Sequence, residues 1–153
     1  MKSIILIAPP AAGKGTEAEQ IKADYNMPSI STGDLLRDVV KGTDEKADAI
    51  REILNSGALV PDEIVLELLK TRISQTDCEN GYILDGFPRN VSQAEAYDKI
   101  LEEMNRDTGL VIVLDIDKEI AKSRISGRYS CPKCGKVYNI NTNLTKIRKY
   151  LEN

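Results

Sequence analysis

Apolar residues open the chain as an unbroken run, Ile4-Ile5-Leu6-Ile7, which ends at Ala8-Pro9-Pro10. A short apolar run closed by prolines predicts a buried strand. The period then changes. Glu17–Tyr25 carries Ala18 and Ile21 among polar residues and predicts a helix, and Met27–Ile30 a short extended segment. Ser31-Thr32-Gly33-Asp34 offers capping side chains ahead of Leu35-Leu36-Arg37. Thr43–Ser56 places Ala47, Ile50, Ile53 and Leu54 on one helical face and meets a stop at Gly57. Pro61-Asp62-Glu63 starts a helix that runs through Ile73, with Ile64, Val65, Leu68 and Leu69 at helical spacing. Tyr82–Asp85 reads as a short strand closed by a carboxylate, and Val91–Met104 as a helix. Leu110–Ile116 is almost wholly apolar and β-branched, the pattern of a strand covered on both faces. Glu119–Ile125 is a further helix. Strands alternating with helices predict an α/β fold with a parallel sheet, and no repeat or low-complexity linker interrupts the alternation.

Composition narrows the chemistry. A chain of 153 residues suits one domain with its own core. A net charge of −3 argues against nucleic acid as a partner, so any affinity for phosphate must come from local placement of Arg and Lys. No stretch approaches the ~20 apolar residues of a membrane span, and Pro9-Pro10 separate the first run from a signal-peptide core. Cys78, Cys131 and Cys134 make no disulfide framework, which suits a reducing, cytoplasmic location. The absence of histidine excludes His-based triads and His metal sites. Phosphoryl transfer to a phosphate acceptor stays open. A nucleoside monophosphate, with a second pKa near ~6, is already ionised at neutral pH and needs alignment and neutralisation rather than a general base.

The first predicted strand runs straight into Gly13-Lys14-Gly15-Thr16. A strand, a small-residue turn and a helix opening on Gly-Lys with a hydroxyl can cradle phosphate through backbone N–H groups and the positive end of the helix. Lys14 would meet the β and γ phosphates, and Thr16 would offer a hydroxyl to Mg²⁺. The match is imperfect: Ala8 stands where the first glycine is expected, and the hydroxyl comes one place late. The plain alternative is a turn with an exposed lysine. Asp85 is either a Mg²⁺ ligand or a turn aspartate before Gly86. Arg37, Arg89, Arg124 and Arg128 would each pass as surface charge, but all lie at element edges, where strand tops open on a cleft. Cys131-Pro132-Lys133-Cys134-Gly135 is half of a zinc knuckle. A structural zinc site needs four ligands, and Gly135–Leu151 contains no Cys, His, Asp or Glu. A turn with two thiols is therefore favoured over zinc for the isolated chain, with a site shared between two chains as the alternative.

Several motifs then occur in one order. Gly13-Lys14-Gly15-Thr16, Ser31-Thr32-Gly33-Asp34-Leu35-Leu36-Arg37, Gly57-Ala58-Leu59-Val60-Pro61-Asp62 and Asp85-Gly86-Phe87-Pro88-Arg89 are followed by Gln93 and by Arg124-Ile125-Ser126-Gly127-Arg128. Together they resemble adenylate kinase, in the bacterial form with a cysteine-bearing lid, over residues 1 to about 140. The resemblance implies a P-loop nucleoside monophosphate kinase fold and transfer of the γ-phosphoryl group of ATP to AMP, giving two ADP. It implies that Ala11, Ala12, Gly13, Lys14, Gly15 and Thr16 wrap the ATP phosphates, with Thr16 and Asp85 serving Mg²⁺. Arg124 and Arg128 fall on the ATP side, with Val137 and Tyr138 near the ATP base. Thr32, Arg37, Ala58, Leu59, Val60, Gly86, Phe87, Pro88, Arg89 and Gln93 form the AMP site. There Arg37 and Arg89 clamp the phosphate by forked hydrogen bonds, and Gln93 reads the adenine edge. Lys14, Arg89, Arg124 and Arg128 are the implied catalytic groups. The implied organisation is a core with the phosphate loop at 1–30, a mobile AMP-binding segment at 31–60, core again at 61–126, and a partial lid with a shortened terminus at 127–153. Lid closure would exclude water from the transfer. A monomer is expected.

The departures carry expectations of their own. The family's loop is usually Gly-x-Pro-Gly-x-Gly-Lys-Gly-Thr, and Ala8 and Ala11 replace two of its glycines. If Ala11 must take positive φ, strain of ~1 kcal/mol follows, and Ala11→Gly is expected to tighten ATP binding or raise turnover. The family also continues past the lid into a further strand and helix and supplies more arginines. This chain stops at Asn153, with only Arg148 beyond Arg128 and in a context that does not match. The last strand and helix are therefore expected to be missing. Loss of such cations is worth ~3–5 powers of ten in phosphoryl transferases. The alternative function is a nucleotide-binding fragment or degenerate paralogue with little transferase activity. A zinc-ribbon-like module that binds nucleic acid through Cys131, Cys134 and the basic end Lys146–Lys149 leaves the N-terminal motifs unexplained.

Overall fold

The computed structural model describes residues 3–58, 60–132 and 137–140. They form two compact units: the first takes β1 (Ile4–Ile7) and the chain from Lys14 to Val113, the second Ala8–Gly13 and the chain from Leu114.

The first unit is a parallel sheet with helices on both faces. Its strands are β1, β2 (Ser29–Ser31), β3 (Ile83–Asp85) and β4 (Leu110–Val113), in the order β2-β3-β1-β4. Ile5 pairs with Leu84 and Leu84 with Ile30, while Ile4 pairs with Ile83. Because side chains alternate along a strand, this register sends Ile5, Ile30 and Leu84 to one face and Leu6 and Ile83 to the other. The first face is covered by Val65, Leu69 and Ile73 of α4 (Asp62–Ile73) and by Tyr97 and Leu101 of α5 (Val91–Glu103). The second is covered by Ala18 and Ile21 of α1 (Lys14–Tyr25), with Met27.

Helix boundaries follow local chemistry. The Ser31 hydroxyl accepts the Asp34 N–H at 3.4 Å and opens α2 (Thr32–Val39). Asp44 accepts the Ala47 N–H at 2.7 Å and opens α3 (Glu45–Asn55), whose Ala47 and Ile50 are fully buried. The predicted stop at Gly57 holds: Gly57 and Ala58 donate their N–H groups to Leu54 and Ile53, the paired bonds of a Schellman ending. Leu54, expected on the buried face, is instead 38% exposed at the helix end.

A second expectation is overturned. Leu110–Ile116 is not a strand covered on both faces: β4 ends at Val113, and Leu110, Val111 and Val113 are 55%, 46% and 67% exposed. β4 lies at the edge of the sheet, paired with β1 alone among the described residues. An apolar run reports a preference for burial, not the position of the strand in the sheet order.

In the second unit, Asp117 accepts the N–H groups of Glu119 and Ile120 at 2.9 and 3.2 Å and opens α6 (Lys118–Ser126). An antiparallel pair follows, β5 (Arg128–Ser130) with β6 (Val137–Asn139), in which Tyr129 faces Tyr138. The sequence pattern does not anticipate these strands, which are short and mostly polar. No helix among the described residues is long and apolar enough to cross a membrane.

Between sheet and α5, the Tyr82 and Tyr97 hydroxyls share a hydrogen bond of 2.5 Å, and both side chains are fully buried. Burial pushes the Tyr97 phenol well above its ordinary range, and the Tyr82 bond adds to the effect. A phenol whose folded pKa is raised contributes stability below its unfolded pKa of ~10 and loses it as pH rises beyond that. Urea denaturation should show stability declining from about pH 10 upward, with a shallower decline in Tyr97→Phe. At neutral pH the same variant should lose about 1–2 kcal/mol, since the Tyr82 hydroxyl is left without its partner.

Candidate functional site

β1 and β3 are neighbours whose outgoing connections lead to opposite edges of the sheet, β1 on to β2 and β3 on to β4. Open α/β sheets bind ligands where connections diverge in this way, beyond the carboxyl ends of the strands. The residues that follow these two strands do meet. Lys14, the first residue of α1, pairs through its ammonium with the carboxylate of Asp85, which ends β3. Gly86 follows with φ 78, a conformation that disfavours a side chain. A Cβ there would stand 3.3 Å from Lys14 Nζ and 3.7 Å from Arg89 Nη2. Arg89 Nε donates to the Gly86 carbonyl at 2.9 Å. The lysine expected on the ATP side and the arginine expected on the AMP side thus converge on one glycine. Phe87 anchors this turn: it is buried and meets Tyr97 edge-to-face, ring centroids 5.7 Å apart.

Gln93 lies one helical turn beyond Arg89 and is 7% exposed. Its Oε1 accepts the Arg89 N–H at 2.8 Å, and its Nε2 donates to Asp62 Oδ1 at 2.5 Å. Thr32 is buried at the start of α2. Arg37, exposed on the same helix, donates to Asp34 at 2.5 Å, and that hydrogen bond holds the Asp34 carboxyl below the usual carboxylate range. A phosphate reaching Arg37 would compete with Asp34 for the guanidinium. Ala58 is exposed and Val60 half-buried, while Leu59 lies outside the described residues. Asp62 and Asp34 stand in the motifs as a helix start and a cap, with no side-chain partner assigned to either by the sequence. Arg37 is three residues from Asp34 and could have been found by spacing; the Asp62–Gln93 contact spans 31 residues and has no local signal.

The second unit holds the loop before Lys14. Ala11 and Gly13 take φ 65 and 100, and the Ala12 N–H reaches the Pro9 carbonyl at 3.3 Å. Arg124 donates to the Ala11 carbonyl at 3.0 Å, and its own carbonyl accepts from Asn139 Nδ2 at 3.0 Å. Arg124 therefore holds the loop backbone with one end and the β5–β6 pair with the other. Arg128 is exposed on β5 opposite Asn139, Tyr138 sits opposite Tyr129, and Val137 occupies β6 opposite Ser130. Cys131 is half-buried, while Cys134 lies outside the described residues.

The donor set bears on metals. Asp85 and Thr16 offer only oxygen, the hard donors that Mg²⁺ takes alongside phosphate and water, so these residues fit a Mg²⁺–nucleotide complex. Among the described residues, no group of three or more His, Cys, Asp and Glu could hold a metal by itself. Burial pushes the Cys78 thiol up, away from the thiolate that zinc requires.

The sequence model of the adenylate kinase family matches residues 6–153. The chain belongs to the adenylate kinase family. It is 47% identical to an adenylate kinase of Syntrophomonas wolfei and 45% identical to one of Thermotoga neapolitana, in each case over 92% of this chain and over 66% and 64% of those relatives. A Thermosipho africanus adenylate kinase is 43% identical over 95% of this chain and 68% of its own length. The chain thus spans about two thirds of the adenylate kinases it matches. The parallel sheet with flanking helices is the fold expected of an adenylate kinase, and Lys14-Gly15-Thr16, Ser31–Arg37, Pro61-Asp62 and Asp85–Arg89 occupy strand ends and helix starts of the first unit.

The condition raised for Ala11 is met, since it takes φ 65 in the folded chain itself. Its strain is therefore stored in the fold, and glycine should relieve it as stability. Ala11→Gly should raise unfolding free energy by up to about 1 kcal/mol in urea titrations, the relief of left-handed strain exceeding the added freedom of the unfolded chain. A fall in stability would show that the alanine methyl contributes packing that outweighs the strain.

Proposed function

We propose that this chain is the core of a nucleoside monophosphate kinase that transfers the γ-phosphoryl group of ATP to AMP, giving two ADP. The observation that carries the proposal is the convergence of Lys14, Asp85 and Arg89 around Gly86 at the ends of β1 and β3. A lone phosphate cradle would explain Lys14. A second cation aimed at the same glycine from the start of α5 suits a reaction in which one phosphate is passed to another.

The roles divide as follows. The backbone of Ala11–Gly13, with Gly15 and Thr16 at the start of α1, wraps the ATP phosphates, where N–H groups and the helix dipole favour negative charge. Lys14 leaves Asp85 for the β and γ oxygens. Mg²⁺, held by Thr16 and Asp85, supplies further neutralisation when bound. Arg124 supports the loop through the Ala11 carbonyl, and Arg128 adds charge on the ATP side, with Val137 and Tyr138 beside the ATP base. Arg37 and Arg89 fork onto the AMP phosphate, Thr32, Ala58, Leu59 and Val60 line its nucleoside, and Gln93 meets its base. No side chain need act as a base, because the attacking phosphate oxygen carries no proton at neutral pH. Orientation and charge stabilisation supply the rate. Residues 31–60 form the AMP-binding segment, and the setting is a reducing cytoplasm.

Coupled detection of ADP from ATP and AMP tests the activity, and calorimetry with Mg·ATP and with a dinucleotide that joins both substrates tests the site. Lys14→Ala and Arg89→Ala should each lower turnover by at least about a hundredfold. Lys14→Ala should weaken the Mg·ATP response and Arg89→Ala the AMP response. Binding of both nucleotides without ADP formation would support a nucleotide-binding protein instead, and no binding at all would overturn the proposal.

A further inference from the structure

The amide of Gln93 is held by partners that permit only one orientation. Its Oε1 faces the backbone N–H of Arg89 at 2.8 Å, a group that can only donate. Its Nε2 faces Asp62 Oδ1 at 2.5 Å, and an ionised carboxylate can only accept. Exchanging the two ends would set an N–H against an N–H and a carbonyl oxygen against a carboxylate oxygen. At 7% exposure, water cannot relieve either mismatch. Asp62 is itself fixed. It opens α4, where the helix dipole favours an anion, and its second oxygen accepts from Asn90 Nδ2 at 3.4 Å. Asn90 in turn opens α5 by accepting the Gln93 N–H at 2.7 Å. The starts of two helices thus hold one amide.

We infer that Asp62 is a specificity-determining residue that sets which hydrogen-bond pattern Gln93 presents to the acceptor base. This rests on the functional reading above, in which Gln93 meets that base. A primary amide has two acceptor sites and two N–H groups. Arg89 and Asp62 take one of each, so one acceptor and one donor remain, in a fixed order along the amide. That order suits a base edge that places an amino group beside an unprotonated ring nitrogen, as in adenine and cytosine. A base with a carbonyl beside a protonated ring nitrogen, as in hypoxanthine, guanine and uracil, presents the reverse order. A glutamine free to turn would accept both kinds. Held by Asp62 at one end and by the Arg89 N–H at the other, it rejects the keto bases, because a polar site left unpaired loses far more than one methylene's worth of binding; loss of Asp62 removes one of the two constraints and so weakens the discrimination without abolishing it.

The test compares AMP with inosine monophosphate, which differs only in carrying the reversed edge. Calorimetry is run on the full chain and on Asp62→Asn and Asp62→Ala. The wild type should prefer AMP by at least about a hundredfold. In Asp62→Asn, where the new amide can donate as readily as accept, the preference should fall by about tenfold, chiefly through tighter inosine monophosphate binding; Asp62→Ala should fall similarly. A purely structural role would weaken both ligands together and leave the ratio alone. AMP binding with an unchanged ratio in both variants, or equal binding of the two ligands by the wild type, overturns the inference and leaves the kinase reading standing. Failure of the wild type to bind AMP overturns both.

Discussion

Strand register decides what the charged groups of this chain can do. Lys14 and Asp85 lie far apart in sequence, and they pair because β1 and β3 run parallel with Leu6 opposite Asp85, so that both strands end at the same carboxyl end of the sheet. The pair is three-quarters or more withdrawn from water. Both partners have lost hydration, which makes an exchange of Asp85 for phosphate, or of Lys14 for a divalent cation, less costly than it would be from bulk solvent. Gly86 then turns the chain with positive φ and admits Lys14 and Arg89 to the space a side chain would fill. A slip of one residue between β1 and β3 would turn Asp85 to the opposite face and separate the three groups.

The support of this end of the sheet is apolar on one side and hydrogen-bonded on the other. Phe87 is set into the core against Tyr97, whose hydroxyl is tied to Tyr82, so the turn carrying Gly86 and Arg89 rests on a packed aromatic cluster. Gln93, Asn90 and Asp62 tie the starts of α4 and α5 together through hydrogen bonds among their side chains and to the Gln93 backbone N–H. Functional groups need such backing because side chains left to move lose alignment. The loop Ala8–Gly13 is supported differently, through its carbonyl at Ala11 and the guanidinium of Arg124. Arg124 is thus a structural partner of the loop as well as a cation near it.

The local sequence determined most of the elements, the order of the motifs, the stop at Gly57 and the family. Caps, breakers and helical spacing act over three to five residues and are written where they act. It also located Lys14, Asp85 and Arg89 as residues of interest; the family resemblance added Gln93 and raised the condition of a positive φ at Ala11, which the folded chain meets. Only the tertiary structure decided which of them meet. It set Lys14 on Asp85, Gln93 on Asp62, and Arg124 on the Ala11 carbonyl across 113 residues. Among the described residues it placed β4 at an edge, with Leu110, Val111 and Val113 exposed and Ile112 packed against the core, and it formed β5 and β6 from residues with no strand pattern. The reason is physical: periodicity records the environment one element prefers, whereas partners are chosen by strand order and register, which are properties of the whole packed chain.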